Sequence, residues 1–178
     1  EDTHYETSKG IEKSVPVIGF AGSLVQYEGI DLLIQASERL GAEGIDHQVV
    51  IAGSGAAEKE WRKLAEDSKN SRVRFLGRLP QSEIPRLMST FDIVVCPRHS
   101  QLITELVSPL KPLESFSAGI ATVLSDVSPN VDLAGPRDSS RAALFEAGSV
   151  DGLTEELRAL ILDAEKRSEL GRRARLWT

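Results

Sequence analysis

Several things are scarce in this sequence, and each scarcity removes a class of answer. One cysteine, Cys96, stands among 178 residues, so no intrachain disulfide framework holds the fold. That usage suits a reducing compartment such as the cytoplasm. No apolar stretch approaches the roughly 18 residues of a membrane-spanning helix, and no signal-peptide pattern is visible. Positive charge is in deficit: 21 Lys and Arg against 27 Asp and Glu give a net charge of −6. A global field that would gather nucleic acid or an anionic membrane is therefore absent, although a local basic pocket is still open to the chain. No His/Cys/Asp/Glu cluster has metal-ligand spacing. No nucleophile–base pair stands out, so covalent hydrolase chemistry has no support. Internal repeats and low-complexity segments are missing too.

What is present reads as one globular domain. The chain is 40% hydrophobic and 27% charged, and its length is enough for a single core. Residues 1–14 are polar and aperiodic, as in a linker or frayed terminus. Residues 15–178 carry the domain. The last ten residues, ELGRRARLWT, stop inside a basic helical pattern. Both ends look cut, as in a domain taken from a longer protein. The basic tail is most simply a helix with favourable charge at its end; peripheral contact with the inner face of a membrane is the less favoured alternative and is not indicated.

Apolar runs alternate with amphipathic stretches. Strands are expected over 15–22, 47–55, 73–79, 92–97, 121–126 and 142–147, and helices over 29–40, 58–68, 82–91, 111–119 and 149–170. In the first helix Ile30, Leu33, Ile34, Ser37 and Leu40 share a face. Trp61, Phe91 and Cys96 read as core residues, His47 as exposed and His99 as a solvated loop residue, with His4 in the tail. Strand–helix alternation with near-continuous apolar strands predicts an α/β fold: a doubly wound, mainly parallel, six-stranded Rossmann-like sheet with helices on both faces. In such sheets ligands bind beyond the carboxyl ends of the strands.

The loops at that edge hold the chemistry. The first, GFAGSLVQYEG, ends a strand near Gly19 and Gly22 and offers the Ser23 hydroxyl; it is not GxGxxG, so a nicotinamide site is not supported. The second, AGSG, adds Gly53 and Gly55. These glycines serve tight turns, or they let the backbone approach a phosphate. At 111–119 Pro112 opens a helix, and Lys111 puts a full positive charge at its start. Arg98, just after the fourth strand, can converge there. Loop, helix end, Lys111 and Arg98 together make a candidate diphosphate site. Glu114 either stabilises the helix start or accepts from a pair of ribose hydroxyls, and the two roles are compatible.

The order GSLVQYEGIDLLIQA, VVIAGSG, VRFLGRLP, FDIVVCPR and LVSPLKPLESFSAGIATVLSD resembles the carboxyl-terminal, donor-binding domain of retaining GT-B glycosyltransferases, the glycosyl transferases group 1 family. The resemblance implies a nucleoside diphosphate sugar as donor, no separate cofactor and no metal. It also implies an acceptor held by an amino-terminal domain of the same protein, and little turnover by this chain alone. Glu114 matches the second glutamate of the family's Glu-x7-Glu motif, which binds ribose. The first falls on Leu106, with Glu105 one position away. Ser23 and Glu28 stand where the family often has the arginine and lysine that hold the diphosphate. Lys111 and Arg98 would then supply that charge and stabilise the leaving group. The base would lie near Arg78 and Leu79, and Leu110, Pro112 and Leu113 would line the donor site. Two alternatives remain open: a non-catalytic flavodoxin-like or receiver-type module, and a nucleotide-sugar epimerase half. The receiver lacks its acidic cluster and aspartate here, and the epimerase lacks its acid–base residues.

Overall fold

The computed structural model describes residues 14–68 and 70–178. Residues 1–13, with His4 and nearly all of the expected linker, lie outside the described part. Six strands form one sheet: β1 Val17–Ala21, β2 Gln48–Ala52, β3 Val73–Gly77, β4 Ile93–Cys96, β5 Ala121–Ser125 and β6 Ala143–Phe145. Their order is β3-β2-β1-β4-β5-β6 and every pairing is parallel. That order reverses between β1 and β4, which creates a crevice at their carboxyl ends. The helices are α1 Ile30–Ala42, α2 Glu58–Asp67, α3 Ile84–Met88, α4 Leu102–Leu106, α5 Lys111–Ser117, α6 Ser128–Ala134, α7 Val150–Leu162 and α8 Ala164–Trp177.

The continuous apolar strands are explained by two cores, one on each sheet face. Ile18, Phe20, Val49, Ile51, Ile93, Val95 and Val123 pack with Leu33, Trp61 and Leu157 of α1, α2 and α7. The alternate residues Val17, Val50, Val94, Cys96 and Leu124 pack with Phe91, Phe116 and Ala174 on the other side. A parallel strand covered on both faces buries successive residues, so apolar ones dominate, and the polar Thr122 of β5 is buried in contact with Ser115 Oγ at 2.8 Å. The α1 stripe of Ile30, Leu33, Ile34, Ser37 and Leu40 is buried as its spacing predicts.

The structure corrects four local expectations. Gly19 is not at a strand end: it sits inside β1, where a Cβ would lie 2.1 Å from the Phe91 ring, so its role is packing. The helix expected over 149–170 is two helices. Asp163 takes an extended conformation between them and caps α8, accepting from Lys166 N at 2.8 Å. The short helices α4 and α6 carry too few turns to show a period in sequence. His47 is buried, not exposed. Among the described residues no helix is long and apolar enough to cross a membrane.

The surroundings of His47 favour its neutral form. Its Nδ1–H donates to Ile45 O at 2.8 Å, and its Nε2 accepts from Ser37 Oγ at 2.8 Å. Ser37 Oγ in turn accepts from Asn70 Nδ2. Burial pushes the imidazole below its ordinary range, and Arg72 adds to this while the Ile45 carbonyl and Asp46 oppose it. The unfolded chain therefore binds a proton that the native state resists. This contribution to stability is complete above the ordinary histidine pKa of about 6.5 and is lost as pH falls through that value toward the lower native one. Melting temperatures measured from about pH 7.5 down to 5.5 should fall, and His47→Gln should flatten the decline. An unchanged slope in the variant would refute this.

Candidate functional site

The carboxyl rim is organised by close backbone contacts. The first two loops lace together: Gly22 N donates to Ala52 O at 2.9 Å, Leu24 N to Ser54 O at 3.0 Å and Ala57 N to Leu24 O at 3.0 Å. A Cβ on Gly53 would lie 1.8 Å from Gly22 O, and one on Gly55 would lie 2.2 Å from Leu24 O. The glycines of the second loop thus let it press against the first. The N–H groups of Gly22 and Gly53 are used within the scaffold, the latter on Gly77 O at 2.7 Å. Ser23 remains exposed at the rim.

The first loop ends in Gly29, whose φ is 70° and whose Cβ would lie 1.9 Å from Pro97 O. Only glycine tolerates both conditions without strain. This approach brings Glu28, at the end of the first loop, against Arg98, at the end of β4. Glu28 is 3% exposed. Its Oε1 meets Arg98 Nη2 at 3.2 Å and Lys111 Nζ at 3.0 Å. Arg98 Nη1 also donates to Val107 O at 3.0 Å. Lys111 comes from the start of α5 across Gly22, where a Cβ would lie 2.0 Å from its Cε. Its ammonium rests 5.3 Å from the centroid of the Phe20 ring. Gly22 therefore leaves the passage through which Lys111 reaches the first loop.

The predicted convergence of Lys111 and Arg98 is thus present, and its centre is a residue that sequence reasoning set aside. Glu28 looks like a gap in a phosphate-binding pattern, whereas the fold makes it the common partner of both cations. The available signal was a charged residue immediately before the buried face of α1. Cys96, at the end of β4, senses the same group. Burial chiefly pushes its thiol up to about 12, with Lys111 and Arg98 opposing and Glu28 and Glu114 adding to the rise.

Glu114 lies one turn beyond Lys111 on α5. It is exposed and lines a groove of about 540 Å³ with Gln81, Ile84, Pro85, Met88, Leu113 and Ser117. That volume is within the ordinary range for a small-molecule site. Arg78 and Leu79 follow β3 directly, on the segment that leads into α3. Pro112 is buried and Leu110 exposed. The helix itself has seven residues, so its dipole is short. The two side-chain cations carry most of the local positive charge. Glu105 is engaged elsewhere: its carboxylate accepts from Ser100 Oγ at 2.7 Å and from Ser128 N and Oγ at 2.9 and 2.7 Å. These bonds hold its carboxyl below the usual range and tie α4 to the start of α6. His99 is not simply solvated, because its Nε2 contacts Asp31 Oδ1 at 3.0 Å.

The model of the family described as "Glycosyl transferases group 1" matches residues 2–177. The chain belongs to that family. With that membership the receiver-type and epimerase alternatives fall away. Among curated relatives, the chain is 29% identical over 165 residues to the GDP-mannose-dependent monoacylated alpha-(1-6)-phosphatidylinositol monomannoside mannosyltransferase of Corynebacterium glutamicum. That match covers 91% of this chain and 42% of the relative. It is also 29% identical over 127 residues to the 2-deoxystreptamine glucosyltransferase of Streptomyces kanamyceticus, covering 68% of this chain and 33% of that one. The chain thus spans less than half the length of either relative. Of solved structures, the C-terminal domain of a glycosyl transferase group 1 family protein, LpcC, from Francisella tularensis superposes with a TM-score of 0.75. The identity is 21%, with 92% of this chain and 85% of that one covered. Anabaena HepE in complex with UDP and glucose gives a TM-score of 0.77 at 19% identity, covering 94% and 44%. These likenesses establish the fold shared with group 1 glycosyltransferases.

Proposed function

We propose that this chain is the donor-binding half of a retaining, cytoplasmic GT-B glycosyltransferase. It binds a nucleoside diphosphate sugar and supplies leaving-group stabilisation. The observation that carries this reading is the meeting of Lys111 and Arg98 at the carboxyl rim, one helical turn from the exposed Glu114 in a groove of about 540 Å³. The diphosphate would sit on Lys111 and Arg98, with the Ser23 hydroxyl as a further donor. The ribose would bind Glu114, and the base would enter the groove between α3 and α5 near Arg78 and Leu79. In transfer, negative charge grows on the departing diphosphate, and cations already in place stabilise it without reorganisation.

Support for a second, amino-terminal half comes from the relatives, which are more than twice as long as this chain. It comes also from Leu102, Leu106 and Leu110, which stand 78%, 72% and 73% exposed beside the site. An acceptor-binding domain across the cleft would cover them.

Calorimetric titration with uridine, guanosine and adenosine diphosphate sugars tests the reading, and at least one should bind. Glu114→Ala should weaken that donor about tenfold, the scale of a charge-assisted hydrogen bond. It should also abolish any preference over the 2′-deoxy analogue. No binding by any of the three donors would end the proposal. The chain alone should transfer sugar slowly or not at all, and substantial turnover would remove the need for a second half.

A further inference from the structure

We propose that Glu28 is a built-in counter-ion of the anion subsite. It holds both cations while the site is empty and limits how tightly a diphosphate is gripped. This rests on the reading of Lys111 and Arg98 as the diphosphate site and deepens it.

The geometry carries the argument. Lys111 Nζ and Arg98 Nη2 both converge on one oxygen, Glu28 Oε1, so the carboxylate stands where two anion-seeking groups point. The side chains of Glu28 and Arg98 are 3% and 9% exposed, against 21% for Lys111. A solute anion therefore arrives on the lysine side and shares Lys111 with Glu28. Glu28 Oε2 and Arg98 Nε are buried without hydrogen-bond partners. A cluster that served stability alone would gain from apolar replacements, because a half-satisfied buried ionic network is worse than good apolar packing. The scaffold nevertheless keeps it, with Gly22 clearing the path of Lys111 and Gly29 admitting the contact that seats Glu28.

The consequence is electrostatic. Two cations and one carboxylate present a net charge of +1 to the diphosphate instead of +2. The nucleoside diphosphate left after transfer carries more negative charge at this point than the donor did. A site of +2 would hold it longest, and product release often limits turnover in enzymes of well-tuned chemistry. Glu28 lowers that hold while keeping both cations in place for the reaction.

Glu28→Gln separates charge from geometry, since the amide oxygen still accepts from both cations. The chain and its variants are titrated with inorganic pyrophosphate, uridine diphosphate and guanosine diphosphate. Glu28→Gln should tighten pyrophosphate binding by about tenfold, and Lys111→Met should weaken it by at least about tenfold. The double variant Glu28→Gln/Lys111→Met restores the net charge of +1 and should return to within about threefold of the starting affinity. If Glu28 is merely structural, the single variant lowers the melting temperature without tightening binding, and the double variant is no better than Lys111→Met. Either result overturns the proposal, as does failure of both the unmodified chain and Glu28→Gln to bind pyrophosphate. Should Glu28→Gln not fold, the comparison of the double variant with Lys111→Met decides. Pyrophosphate binding without binding of either nucleoside diphosphate would count against the donor reading, while tightening in Glu28→Gln would still uphold the counter-ion.

Discussion

Lys111→Ala should raise the dissociation constant for a nucleoside diphosphate between about tenfold and a hundredfold, the range that a charge-assisted contact of roughly 1.5–3 kcal/mol implies. The same change should lower stability by only about 1 kcal/mol. The asymmetry follows from where the side chain is. Lys111 is partly open to solvent, and Glu28 keeps Arg98 when the lysine is removed. Folding therefore loses one of two partners for a buried carboxylate, whereas a bound diphosphate loses its most accessible cation. Titration calorimetry and thermal melts on the same samples check both halves of the statement. An unchanged dissociation constant would defeat the role assigned to Lys111.

Arg98→Met should show the opposite balance, a stability loss of about 3 kcal/mol or more. Arg98 is nearly as buried as Glu28, and it also donates to Val107 O. Its removal leaves Glu28 with only Lys111, whose side chain is 21% exposed, and leaves the carbonyl of Val107 without that donor. In urea the midpoint should fall with the slope m unchanged. The pair Arg98→Met/Glu28→Met should recover much of the loss, because removing both charges avoids a buried carboxylate short of partners. A single-variant loss below about 1 kcal/mol, with no recovery in the pair, would show that this buried contact contributes little.

These expectations differ because the three charges occupy different depths of one cluster, and depth is what the sequence conceals. Arg98, Lys111 and Glu114 are all recognisable as chemistry-bearing residues at the ends of predicted strands or the start of a predicted helix. Their convergence is a fair inference from topology, since loops after parallel strands share one rim. Glu28 is not recognisable in the same way. Its position near a helix start fits a solvated acid, and its burial depends on Gly29 letting the loop fall onto Pro97 O. Glu105 is misleading for a related reason. It lies one residue from a motif position, yet Ser128, at the start of α6, takes its carboxylate.

The sequence by itself determined the architecture. Apolar runs of strand length alternating with amphipathic stretches admit essentially a parallel sheet covered on both faces, and the order of the loop motifs identifies the family. Hydrophobic periodicity is a local property, so it survives in one dimension. Tertiary structure alone decided which charges pair, that Gly22 serves as a passage for Lys111 and that His47 is buried. Each of these depends on distances between segments many residues apart. Coulomb forces and steric exclusion act through those distances, and the linear order of residues does not contain them.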